Sequence, residues 1–181
     1  IDIAGASRPI TTEEMKLCKD KGIEYVELPI CFDALTVAVH KDATWVDSIK
    51  TSELKKLWEP AGQETVKLWS DIRPEWPKEK FALFGAGKDS GTYEYFSEAV
   101  IELKKASRSD YTASENDNTI VLGIAGDKHA LGFLPYAYYV ESKDKIKALS
   151  IDWDKDPTKP TGPILPSVEA VVAAKYNPLS R

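Results

Sequence analysis

The run Gly85-Ala86-Gly87-Lys88-Asp89-Ser90-Gly91-Thr92-Tyr93-Glu94-Tyr95-Phe96 limits this chain to folds in which a buried strand turns tightly into a helix. The apolar segment before it, Phe81-Ala82-Leu83-Phe84, has the composition of a buried strand, and from Tyr93 to Lys105 apolar residues recur at helical spacing. At the junction, Ser90, Gly91 and Thr92 can bring backbone N–H groups and two hydroxyls to one point, where the positive end of the helix dipole adds to them. A small oxyanion fits such a junction. The same residues also fit a plain helix cap, a role that Ser and Thr fill at many helix starts.

Elsewhere strands and helices alternate. Ile1 to Ala6 reads as a short strand, and Thr11 and Glu14 form a capping box for a helix that runs to about Lys21 and stops at Gly22. Ile23 to Leu28 alternates like a half-exposed strand, and Leu35-Thr36-Val37-Ala38-Val39, apolar on both faces, reads as a central one. Thr51 to Trp58 is a short helix stopped by Pro60, and the aromatic, proline-punctuated Trp69 to Pro77 is a packed connecting loop. After the glycine turn and its helix, Ser107 to Asn118 is polar and turn-rich. The pattern then predicts a helix from Asn118 to Ala125, an aromatic strand from Leu131 to Tyr139, a strand from Ile146 to Ile151 and a last helix from Ser167 to Ala174. The expected architecture is α/β with largely parallel sheets, in which ligands collect at strand carboxyl ends. Two loops follow such ends, Ser7-Arg8 and Ser90-Gly91-Thr92, so two lobes could close on one ligand. The planar fork of Arg8 matches two oxygens of a tetrahedral anion, and an ordinary surface salt bridge is its other reading.

A chain of 181 residues with 43% hydrophobic content can bury a real core as one domain or two small lobes. A net charge of −5 argues against a nucleic-acid surface, and no apolar run approaches the roughly 18 residues of a membrane span. Cys18 and Cys31, with His40 and His129 at unrelated positions, are too few for a zinc site. The two thiols fit either a disulfide in an oxidising compartment or separate buried positions. No cofactor is expected.

Taken together, Asp2 to Ile10, Leu28-Pro29, Asp33 to Val39, Leu54 to Trp58, Asp89-Ser90-Gly91-Thr92 and Ala130 to Phe133 resemble, in order and over nearly the whole chain, the phosphate-binding proteins of ABC transporters, of the PstS and SphX type. That resemblance implies a type 2 periplasmic-binding-protein fold, with two α/β lobes joined by hinge strands and phosphate held in the cleft. It implies an extracytoplasmic, periplasmic-type solute-binding protein that passes inorganic phosphate to a membrane permease, and no catalysis. Residue by residue, Ser90, Gly91 and Thr92 match the family's phosphate loop and Ser7 its first-lobe serine. Where many relatives carry an aspartate this chain has Arg8, and where many carry an arginine and an aspartate ahead of the loop it has Ala86 and Lys88. Arg8 is the expected replacement for that guanidinium. Asp89 is the expected acceptor that favours protonated phosphate over sulfate, with Asp33 and Asp117 in reserve. The resemblance further implies a fragment lacking both termini, with residues 1–41 and 151–181 belonging to the first lobe and 42–150 forming the second. Two other function classes are binding of another oxyanion, sulfate or molybdate, and a phosphatase, for which no nucleophile with a base stands out.

Overall fold

The computed structural model describes residues 3–6, 8–31, 33–155 and 162–173. The chain divides into two compact units, Ile1–Asp33 and Ala34–Arg181.

In the first unit the helix α1 (Thr12–Asp20) starts on the expected capping box: the Glu14 N–H donates to Thr11 Oγ1 at 3.2 Å and the Thr11 N–H to Glu14 Oε2 at 2.9 Å. It stops at Gly22, whose φ of +64° suits a residue without a Cβ. No residue of α1 is buried. The strands expected at 1–6 and 23–28 do not form among the described residues, where Ile3, Val26 and Leu28 are 92%, 84% and 74% exposed; Ile1 and Asp2 lie outside them. Alternation makes a strand only when another strand takes its hydrogen bonds. Cys18 and Cys31 are free thiols, Cys31 on the surface.

The second unit is built on a five-stranded sheet in the order β4-β3-β5-β1-β6: β1 (Leu35–His40), β3 (Ala82–Ala86), β4 (Thr112–Ser114), β5 (Ala130–Pro135) and β6 (Ile146–Ala148). β3 is parallel to β4 and β5, as expected. β1, however, is antiparallel to both β5 and β6, so the sheet is mixed rather than largely parallel. Leu35 opposes Pro135, so β1 enters the sheet at the edge where β5 leaves it and must run the other way. β1 is central, and Thr36 to Val39 are buried. Val37 and Val39 join the larger core, while Ala38 faces Ile120 and Ile124 of the helix α5 (Asp117–Gly126) and Ile146 of β6.

A smaller three-stranded sheet pairs β2 (Ser48–Lys50) with β7 (Ser150–Asp152) and β7 with β8 (Pro163–Ile164). The segment read as one strand over 146–151 is thus two strands in different sheets. They are separated at Leu149, whose N–H donates to the Val37 carbonyl at 2.9 Å. The helix α2 (Thr51–Trp58) follows β2, and its first turn is capped by Asp154, which accepts from Thr51 Oγ1 at 2.7 Å and the Ser52 N–H at 2.9 Å. The short helix α3 (Gly62–Thr65) comes next.

Trp58 is the hub of the larger core. Its ring meets Phe96, Tyr111 and Phe133 edge-on at centroid distances of 5.4, 5.3 and 5.1 Å, and Phe96 stacks flat on Phe133 at 4.1 Å. Tyr93 and Phe96, three apart and fully buried, hold one face of the helix α4 (Gly91–Phe96) in this cluster. The helix read over 93–105 ends earlier. α4 widens into a π-turn over Ser97–Ile101 and stops at Glu102 in the left-handed region. Ser97 causes the stop: its Oγ donates to the Glu94 carbonyl and accepts the Lys105 N–H, drawing the chain away from the helix axis. Lys155 closes the far end by donating to the Ala99 and Val100 carbonyls at 2.7 and 3.1 Å.

The strand read over 131–139 ends at Pro135, and Tyr136–Val140 is the helix α6. Pro135 has no N–H for a strand partner and suits the position just before a helix. The last helix, α7, spans Val168–Val172; Ala174 lies outside the described residues.

Candidate functional site

The carboxyl ends of β3, β4 and β5 share one edge of the five-stranded sheet, because these strands are parallel. At this edge Gly87 to Ser90 connect β3 to α4. The packing of Tyr93 and Phe96 beneath fixes where α4 begins, and Tyr111 fixes where β3 ends by donating its hydroxyl to the Ala86 carbonyl at 3.0 Å.

Ser90 is the N-cap of α4, and its Oγ accepts the Thr92 N–H at 3.1 Å. The cap reading therefore holds, and it leaves chemistry to spare: a hydroxyl that accepts through one lone pair still has its proton to donate. The Ser90 N–H is taken by the Gly87 carbonyl at 3.0 Å, which closes the turn. The Gly91 N–H, in the first turn of the helix, has no carbonyl a turn earlier to receive it. Gly91 is exposed, and Ser90 and Thr92 are half-buried. The turn thus offers hydroxyl protons and an amide at the positive end of a helix, a donor set suited to an oxygen-rich anion. Asp89 and Lys88 are exposed in the same turn.

Arg8 lies in the first unit, where its guanidinium forms a two-pronged pair with Glu14, at 2.8 Å to Oε2 and 2.9 Å to Oε1, and donates to the Pro9 carbonyl at 3.1 Å. This is the salt-bridge arrangement of the two readings open from sequence. The Arg8 bonds, followed by the Thr11 N–H, hold the Glu14 carboxyl well below the usual range. Ser7 lies outside the described residues. Asp33 ends the first unit, and Asp117 is the first residue of α5, directly after its N-cap Asn116.

Sequence reading left Glu115 within a polar loop. In the structure it follows β4 at the same edge, with its Oε1 only 1.9 Å from where a Cβ on Gly87 would stand. The signal was a short β-prone run, Tyr111-Thr112-Ala113-Ser114, directly before it. At the opposite edge, a cavity of about 300 Å³ is walled by Phe81, Lys80, Arg108 and Asp110. Its buried cation is committed: Arg108 is paired to Asp110 and donates to the Leu57 and Val66 carbonyls. Among the described residues, no helix is long and apolar enough to cross a membrane, and no cluster of three or more His, Cys, Asp or Glu could hold a metal ion.

The family model described as a PBP superfamily domain matches residues 1–181. The chain belongs to the PBP superfamily. Among curated proteins it is 44% identical over 180 residues to Protein SphX of Synechocystis sp., covering 99% of this chain and 52% of that protein. It is 34% identical over 166 residues to the phosphate-binding protein PstS of Staphylococcus saprophyticus, covering 88% of this chain and 49% of that protein. Among solved structures, that of a possible phosphate binding protein from Planctomyces limnophilus matches with a TM-score of 0.77 and 42% identity, covering 96% of this chain and 59% of that one. The expected PstS and SphX kinship and periplasmic-binding-protein fold are therefore found in this PBP superfamily domain, which spans about half the length of the curated relatives it matches.

Proposed function

We propose that this chain is the ligand-gripping part of an extracytoplasmic solute-binding protein that captures inorganic phosphate between two lobes and delivers it to an ABC-transporter permease, without catalysis. The observation that carries this reading is the Ser90 cap: a serine, a glycine and a threonine at the start of a buried-faced helix, on the carboxyl edge of the sheet, in a chain akin to PstS proteins named for phosphate binding. Ser90, Gly91 and Thr92 act as donors, Asp89 as an acceptor, and Ser7 and Arg8 as the donors of the other lobe. On this reading residues 42–150 form the second lobe, and 1–41 and 151–181 belong to the first. The guanidinium fork that now holds Glu14 in two-pronged fashion is of the kind that binds phosphate oxygens equally well.

Titration calorimetry with inorganic phosphate tests the reading on the whole chain and on Thr92→Val, which keeps the side-chain shape and removes the hydroxyl. Loss of one hydrogen bond to a charged ligand weakens binding by about tenfold or more. Equal phosphate affinity in Thr92→Val and the unsubstituted chain defeats the assignment of the loop, and tighter binding of sulfate or molybdate than of phosphate moves the chain to another oxyanion.

A further inference from the structure

The cavity of about 300 Å³ at the edge away from the glycine turn has an uneven charge balance. Its lining holds three cations, Lys67, Lys80 and Arg108, against one carboxylate, Asp110, in a chain whose overall charge is −5. Asp110 is spent on Arg108, which donates to both of its oxygens, at 2.5 and 2.9 Å. The lysines have no such answer. Both are exposed, and among the described residues neither is in an ion pair. Their positions are nevertheless fixed. Leu68 and Lys80 form an antiparallel bridge, which sets the two lysine-bearing segments side by side. The Lys67 and Leu68 N–H groups both donate to Asp71 Oδ2, each at 2.8 Å. The Lys67 ammonium donates to the Gln63 carbonyl, and Gln63 Oε1 accepts the Ser109 N–H and hydroxyl at 2.9 and 3.1 Å, so one residue ties Lys67 to the loop that carries Arg108. An ammonium has three donors. Lys67 keeps two in hand, and Lys80 makes no side-chain hydrogen bond among the described residues.

The rest of the wall is largely apolar, made by Phe81, Ala82 and Leu83, with the Phe81 ring held by the Arg108 guanidinium 5.2 Å from its centroid and by a perpendicular Trp69. An inorganic anion meets the lysines and leaves this wall bare, whereas a molecule with charge at one end and a hydrocarbon body satisfies both. Three cations less one carboxylate leave two positive charges, which a dianion balances. We propose that this cavity is a second ligand site, taking a small organic dianion whose carboxylate or phosphate oxygens meet Lys67 and Lys80 and whose apolar body lies against Phe81 and Leu83. The site uses no residue of the glycine turn and does not depend on the phosphate reading.

The test is calorimetry and amide NMR on the whole chain with two probes, phthalate and phenyl phosphate, and with sulfate as the inorganic comparison. Because both lysines are exposed, the double variant Lys67→Gln with Lys80→Gln probes them without disturbing the core. The expected result is binding of at least one probe, with shifts of the Lys80 to Leu83 and Thr112 amides. That binding weakens by about tenfold or more in the double variant, weakens with added salt, and is unchanged in Thr92→Val. Equal probe affinity in the double variant overturns the site, and so does a loss in Thr92→Val, since the probe then sits at the glycine turn. Sulfate held in the cavity as tightly as either probe overturns the organic class. No binding of either probe at millimolar concentration overturns the proposal outright.

Discussion

Replacing Arg108 with methionine unlocks the end of the sheet opposite the glycine turn. The side chain is 2% exposed, with its guanidinium 5.2 Å from the centroid of Phe81. It donates to both oxygens of Asp110, at 2.5 and 2.9 Å, and to the carbonyls of Leu57 at 2.9 Å and Val66 at 3.4 Å. Methionine keeps the apolar stem over Phe81 and removes every donor. Asp110 is 38% exposed and regains water, which places the loss of the pair below the roughly 3–5 kcal/mol of a fully buried one. The Leu57 carbonyl is left without its donor in the interior, at about 1–3 kcal/mol, while the longer Val66 contact adds little. A destabilisation of about 3–4 kcal/mol follows, and with about 2–4 °C per kcal/mol for a chain of this size the melting temperature drops by roughly 6–16 °C. Urea unfolding followed by tryptophan fluorescence should show a lower midpoint at unchanged slope. The acid limb changes as well. Arg108 holds the folded-state Asp110 carboxyl below its usual range, so the pair stabilises above the unfolded carboxyl pKa and fades as pH falls through the depressed folded value. Arg108→Met loses that pH dependence. An Arg108→Met chain within about 1 kcal/mol of the original refutes the reasoning, since buried carbonyls and a buried pair would then carry no weight.

Asp154→Ala removes the remote cap of α2 and should cost about 1–2 kcal/mol in thermal melts. Burial raises the Asp154 carboxyl, but the bonds from Ser52 and Thr51 outweigh it and leave the group below its usual range. The cap thus stabilises above the unfolded pKa and weakens as pH drops through the folded one; an equal acid dependence in Asp154→Asn would count against it. Gly132→Ala places a Cβ 2.6 Å from the Phe84 carbonyl oxygen and 2.7 Å from Ile124 Cδ1, which should cost about 1–3 kcal/mol in urea unfolding. Gly126→Ala meets nothing within 4 Å and should be neutral or slightly stabilising, so equal effects at the two positions would contradict the packing described.

Signals carried within a few residues were legible in the sequence. The Thr11–Glu14 box, the Gly22 stop, the buried run of β1, the extent of α2 and the Ser90 helix start all depend on near neighbours, and each formed where the pattern put it. What stayed hidden depends on partners far along the chain. Asp154 caps a helix at Thr51, 103 residues away, and no local pattern marks it. Nor does local composition show that β1 lies antiparallel to β5, or that Leu149 divides an apolar run between two sheets, because both follow from where other strands already stand. In the candidate site the hydroxyls and glycines were visible as a motif. Glu115 was not, since only the parallel pairing of β3 with β4 brings it over Gly87.

The ammonium of Lys155, seated on two carbonyls of the π-turn, tethers the tail of the rod whose head is Ser90. A rod anchored behind resists sliding along its own axis. Any shift at its head is then left to the brief bend from Gly87 to Asp89, while the tail stays locked by Lys155 and by the buried Val100 and Ile101.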